Sequence, residues 1–257
     1  MKNSIRLILL FLVIPALSFL ESCQTGDEII IPSSPTYYGS SVSIGNGVGR
    51  AWVSVNSNGD PTAVGINLSE KALEGLPDSM LQFVLPFPDG KGKGFYTHGL
   101  VDWNPHGHQP SGVYDLPHFD FHFYIIPNEE RIKIGPNDTV QFANAPDSMY
   151  LPSSYIHTPG GVPQMGAHWA DIMSPEFNGQ PFTKTYIWGS YDGKFVFWEP
   201  MVTLNYLLSH PNDLITLRQH DTYQRDGWYA TKYKVSYSTS SNEYTVALTN
   251  LIFHAGK

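Results

Sequence analysis

The residues predict a mainly β protein, a single β sandwich or barrel-like domain with one or two short helices. Three observations carry that expectation. Gly (23), Pro (20), Tyr (15), Phe (14) and Trp (6) are abundant, the composition of short strands joined by tight turns. Apolar, β-prone runs recur along the chain and are separated by Asn-Gly, Asp-Gly and Ser/Thr/Asn clusters. With 257 residues, 41% hydrophobic and 15% charged, the chain is long enough for a sizeable core and too apolar to be disordered. A net charge of −8 is the wrong sign for neutralising phosphates, so nucleic acid is excluded as a partner.

In chain order, Lys2 and Arg6 precede an uncharged apolar run over 7–20. That run is shorter than the roughly 20 residues a bilayer-spanning helix needs and has the form of a secretory signal. It ends in Leu20-Glu21-Ser22-Cys23, which resembles a bacterial lipobox, where a small residue precedes a cysteine that is lipidated and becomes the mature N-terminus. The resemblance implies a lipoprotein signal peptide at 1–22 and a membrane anchor at Cys23, the only cysteine of the chain. Residues 23–37, rich in Pro and Ser after an acidic Gln-Thr-Gly-Asp-Glu, read as a tether, and 38–257 as one β-rich domain. The expected place is the bacterial cell envelope, lipid-anchored to the outer membrane and facing the periplasm or the exterior. Without a second cysteine no disulfide can staple the exported fold, so stability falls to core burial, with or without a metal.

Residues 48–56 and 61–68 flank Ser57-Asn58-Gly59-Asp60, a strong hairpin signal. Ser69 suits the cap of a short helix that Gly75 ends, and a strand at 80–85 stops at Pro86 and Pro88. Further strands are expected at 96–103, 118–126, 185–188 and 194–198, with a helix over 201–209. Residues 229–237 and 243–253 alternate around a polar turn and read as a closing hairpin. No fixed-period repeat and no composition break divides the domain.

Five of the residues from 98 to 122 are histidine, and the densest stretch runs from Asp102 to Tyr124. On a strand, His118, Asp120 and His122 share one face while Phe119, Phe121 and Phe123 share the other. The Phe face belongs to a core. The imidazole–carboxylate–imidazole row suits a divalent transition ion, zinc first, because neutral imidazole is the commonest protein ligand for such ions. Spacing restricts the arrangement: four residues along a strand cover roughly 13 Å, so His118 and His122 share one ion only if the strand bends. Asp120 can pair with either, or orient a ligand histidine from behind. His108, on the preceding Gly/Pro-rich loop, joins the candidate ligands. His106 reads as a solvated neighbour, and His98 is weaker still.

His168 in Met165-Gly-Ala-His-Trp and Glu199 in Phe197-Trp-Glu-Pro-Met are more distant candidates, with Asp171 either a partner for a ligand or a local cap. Three histidines and one carboxylate would leave a coordination position for water or substrate, with Glu199 or Asp120 as the base. The alternative is a non-catalytic envelope module with structural histidines, whose Tyr and Trp bind a small molecule or an envelope partner. Nucleophilic hydrolysis finds no Gly-x-Ser-x-Gly element and no cysteine beside a histidine.

The stretch from Gly107 through Pro117-His118-Phe-Asp120-Phe-His122-Phe-Tyr124, with Met165-Gly-Ala-His168-Trp and Glu199-Pro-Met201, resembles a family of uncharacterised bacterial exported proteins. The resemblance implies that His108, His118, Asp120, His122, His168 and Glu199 occupy motif positions, and it brings no mechanism. Cupins and alpha-type carbonic anhydrases place His-x-His on a strand, whereas this chain has His-x-Asp-x-His, so cupin likeness stays an analogy.

Overall fold

Among residues 34–257, the part of the chain that the computed structural model describes, the alternating runs form fourteen strands in two antiparallel sheets. The signal segment, Cys23 and most of the expected tether lie outside the described residues. The chain lays β1 (Thr36–Tyr38), β2 (Val42–Ile44), β3 (Gly47–Val55) and β4 (Pro61–Ser69) into the first sheet. It then builds the whole second sheet from β5 (Leu81–Pro86), β6 (His98–Asn104), β7 (His118–Tyr124), β8 (Tyr155–His157), β9 (Ala167–Asp171), β10 (Lys184–Tyr191) and β11 (Lys194–Thr203). It returns to the first sheet with β12 (Asn212–Thr216), β13 (Gly227–Ser238) and β14 (Glu243–His254). The orders are β1-β3-β4-β14-β13-β12, with β2 also on β3, and β5-β6-β7-β11-β10-β9-β8. The sheets stay open, so the architecture is sandwich-like rather than a closed barrel.

The two expected hairpins form as β3–β4 and β13–β14, and β14 zips onto β4 with Val246 opposite Ile66. Between the sheets lies one apolar core. Phe119, Phe121 and Phe123 of β7 are fully buried in it, with Val101, Trp103, Trp188 and Trp198 from the same sheet and Ile66, Leu68, Tyr233, Val246 and Leu248 from the other. Tyr186 stacks on Tyr233 across the gap with ring centres 5.5 Å apart. Burying a large side chain of this kind stabilises the fold by about 1.5–3 kcal/mol, so β7 is pinned in register by its Phe face.

Three differences from the sequence expectation have physical causes. β1 pairs Tyr37 with Val53 on β3, so the sheet takes in the last residues of the stretch expected as a tether. Three short α-helices form rather than one or two: α1 (Asn128–Arg131), α2 (Thr139–Ala143) and α3 (Leu204–Leu208). The helix expected from Met201 starts only at Leu204, capped by the Thr203 hydroxyl, which accepts from the Tyr206 N–H. Residues 201–203 instead continue β11 through Pro200, which sits in a central strand where proline is rare. The pairing of β11 with β7 runs through Trp198↔Phe123 and resumes at Met201↔Asp120, passing over Glu199 and Pro200. Proline has no N–H to contribute to a ladder, and the interruption falls beside the candidate site.

Candidate metal centre

The Phe face of β7 fixes the orientation of its other face. His118, Asp120 and His122 therefore point away from the sandwich core, and they are nevertheless buried, because loops and short helices cover that side of the second sheet. On β6 the register sets Asn104 opposite His118, Asp102 opposite Asp120 and His98 opposite Tyr124. On β11 it brings Glu199 beside His122, between the pairs Trp198↔Phe123 and Met201↔Asp120. Two small apolar clusters flank this polar floor. Leu100, Tyr124, Met165, Val196 and Phe197 form one, and Tyr114, Ala170, Phe182, Ile187 and Met201 form the other.

Two histidines reach the floor from elsewhere. His108 stands on the loop between β6 and β7, which folds back so that its N–H bonds the Tyr114 carbonyl at 3.2 Å. Gly107 makes that return possible: its φ is +70°, and a Cβ there would lie 2.0 Å from the Tyr114 carbonyl oxygen. His168 comes from β9, two strands away from Glu199. Between them on β10, Gly189 pairs with both His168 and Phe197 and presents no side chain, while Ile187 lies opposite Glu199.

All six predicted residues thus converge, but as two sets of three. In the first, His108 Nε2 lies 3.4 Å from Asp120 Oδ2 and His118 Nε2 lies 3.1 Å from Asp120 Oδ1. In the second, His122 Nε2 and His168 Nε2 lie 3.5 Å and 3.8 Å from Glu199 Oε2. Four ligands at zinc distances of about 2.0–2.2 Å around a tetrahedron are about 3.3–3.6 Å from one another, a spacing that these separations of 3.1–3.8 Å bracket. Only the 3.1 Å contact lies within ordinary hydrogen-bond distance. His118 Nε2, Asp120 Oδ1, both ring nitrogens of His122 and Glu199 Oε2 are buried without a hydrogen-bond partner in the protein. The backbone supports the same orientation: the Leu116 carbonyl accepts from His118 Nδ1 at 2.7 Å and the Gln109 carbonyl from His108 Nδ1 at 2.8 Å. With Nδ1 carrying the proton, Nε2 of each ring offers a lone pair toward Asp120. Asn104 Nδ2 donates to Asp120 Oδ2 at 2.7 Å and steadies the carboxylate.

Electrostatics divide the two sets. Burial opposes ionisation of Asp120, yet the neighbouring His118 and His108 rings override it and hold the carboxyl well below its usual range. His108 shows the reciprocal effect: burial lowers its pKa, Asp120 more than restores it, and the net shift is upward. In the second set, burial pushes His122 down to about 3, and burial with the nearby His108 pushes His168 down to about 4. Glu199 moves well up, by burial first and then by Asp120 and Asp102. Neutral imidazoles beside a carboxyl that resists ionisation are what a buried cation site gives when its groups are considered without the cation.

Other expected residues fall elsewhere. His106 is exposed and meets Asp78 at 3.0 Å, away from the site. His98 stacks on Tyr124 at 4.6 Å and is pushed down to about 4 by burial and then by Arg131, but belongs to neither set. Asp171 accepts from the Met173 N–H and from Arg218 Nε at 2.7 Å, so it caps and pairs rather than supporting a ligand. The sequence reading passed over Asn104 and Asp102. The alternation of His98, Leu100, Asp102 and Asn104 along β6 was the signal that places them on the same face.

Set against known proteins, residues 56–103 match the family described as "TTHB210-like: Hypothetical protein TTHB210". That stretch covers β4, β5 and most of β6, and contains Asp102 but none of the six residues of the two sets. No curated protein and no solved structure matches the chain. The similarity is to a family of uncharacterised proteins, confined to the strands that lead into the site.

Proposed function

We propose that this protein is an exported, lipid-anchored β-sandwich domain that binds divalent transition metal, zinc first, on the covered face of its second sheet. The observation that carries this reading is the set of buried, unpartnered imidazole nitrogens and carboxylate oxygens at the mutual spacing of ligands around an ion. Three donors in a set leave a coordination position for water or substrate, and the partial exposure of His108 and His168 gives that position access. Metal-assisted hydrolysis is therefore the reaction class that the site supports best. Asp120 and Glu199 each neighbour two imidazoles, which suits them as ligands rather than as bases.

Elemental analysis of the purified protein tests the reading. Near-stoichiometric divalent metal is expected, and His118→Ala combined with His122→Ala should reduce it to background. Metal held at about 100 times its Kd stabilises the fold by about 2.7 kcal/mol, so a chelator should lower Tm by about 5–10 °C. Wild-type protein that binds no metal from zinc-supplemented buffer would return the histidines to a structural role and the domain to an envelope binding module.

The anchor rests on Leu20-Glu21-Ser22-Cys23 after the apolar run. Labelled palmitate should be incorporated in cells and lost in Cys23→Ser; a variant that still labels refutes the anchor.

A further inference from the structure

The geometry points to a two-ion centre: the His108–His118–Asp120 and His122–His168–Glu199 sets each hold one divalent ion, side by side on the same sheet face, with Asp102 as the third carboxylate that balances them. This rests on the metal reading above and adds stoichiometry and a further residue to it.

Three observations carry the inference. First, the two sets share no residue, yet all three β7 members lie on one face of one strand. β7 pairs with β6 in continuous register from His98↔Tyr124 to Asn104↔His118, so no bulge in that ladder draws His118 and His122 together onto a single ion. Regular strand spacing instead leaves His118 and His122 roughly 13 Å apart at the backbone, with Asp120 between them. Second, each set is complete as a three-ligand site, with the reach supplied separately by a loop for His108 and by β9 for His168. Third, the floor concentrates negative charge. Asp102, Asp120 and Glu199 are 1%, 4% and 2% exposed, and Asp102 sits directly opposite Asp120 in the register. Asp102 Oδ2 accepts from Gln82 at 3.3 Å, while Oδ1 is buried with no partner. Like charges this close are strongly unfavourable in a dry interior, so either protons or cations neutralise them, and only cations also satisfy the facing imidazole nitrogens. One divalent ion would leave the three ionised carboxylates with one negative charge in excess. Two ions reverse the sign and leave a single positive charge, which favours an anionic group at the open positions.

Equilibrium dialysis of the full chain against zinc, followed by elemental analysis, should find two ions per chain. His108→Ala and His168→Ala should each bind one, and the double variant none. Asp102→Asn should weaken the second ion about tenfold and the first little. The wild-type chain loaded with two equivalents of Cu(II) should show the half-field and broadened EPR signals of a coupled pair, a readout that needs no substitution. One ion per chain, lost in either single variant, overturns the pair while leaving metal binding intact, and so do two Cu(II) ions without coupling. Unchanged affinities in Asp102→Asn overturn its part in the centre. Absence of any bound ion instead overturns the metal reading itself.

Discussion

Gly189 shows how one absent side chain can organise a site. A Cβ at this position would lie 2.1 Å from two ring carbons of Phe197, so that ring occupies the space a side chain on β10 would fill. Phe197 in turn packs edge-on against His122 at 4.7 Å and His168 at 5.4 Å, spacing the two imidazoles that face Glu199. Gly189→Ala must displace the ring and both histidines with it. Overpacking of this kind costs about 1–3 kcal/mol, which urea titration should register as a lower midpoint. The metal consequence is selective: the His122–His168–Glu199 set should lose its ion while the His108–His118–Asp120 set keeps its own. Wild-type stability and full metal content in Gly189→Ala would show that Phe197 has room to move. No feature of the sequence marks this glycine, because its importance depends on Phe197 and His168, which reach it only through strand pairing.

Among the elements, β7 was the most legible. Strict alternation of His-Phe-Asp-Phe-His-Phe-Tyr assigns one face to the core and the other to chemistry before any partner strand is known. Both hairpins were legible for the same local reason, since their turns and their alternation lie in one stretch of chain. The six site residues could also be named, but not their division into two sets. Which carboxylate meets which imidazole depends on the order β6-β7-β11-β10-β9, and nothing local to His168 or Glu199 states that order. A regular strand holds His118 and His122 roughly 13 Å apart, which argues against a shared ion, and the fold places each of them in its own set of three donors. α1 and α2, and strands as short as β8, contain too few residues for periodicity to reveal them. β11 misled in the opposite way, since a helix was expected from Met201 yet the strand continues through Pro200 to Thr203, paired at Met201 with both neighbours.

At the scale of the whole molecule, the described strands begin and finish in the first sheet and the middle of the chain builds the second, so the site lies on the face of the second sheet turned away from the first. The segment joining β12 to β13 carries His220, whose ring packs 5.1 Å from Trp188 of the second sheet and 4.4 Å from Tyr223. Burial, with His254 nearby, pushes His220 down to about 4 from its ordinary 6.5, and its Nδ1 has no partner. An unfolded His220 takes a proton near pH 6.5 and the folded one only near 4, so over that window the unfolded chain binds more protons. Its contribution to stability is therefore complete above pH 6.5 and is lost as pH falls toward 4. The full shift corresponds to about 3 kcal/mol, and the ring's partial contact with water reduces this to about 1–2 kcal/mol. Site residues pull in both directions, with His122 and His168 shifted down and His108 and Glu199 shifted up, so wild-type acid sensitivity alone does not isolate His220. The difference from His220→Phe does, because Phe keeps the aromatic packing and removes the titration. Urea unfolding of chelated protein should show the two chains diverging by about 1–2 kcal/mol from pH 6.5 to pH 4, with the wild type losing more, and parallel curves would mean that the folded ring accepts its proton as readily as the unfolded one.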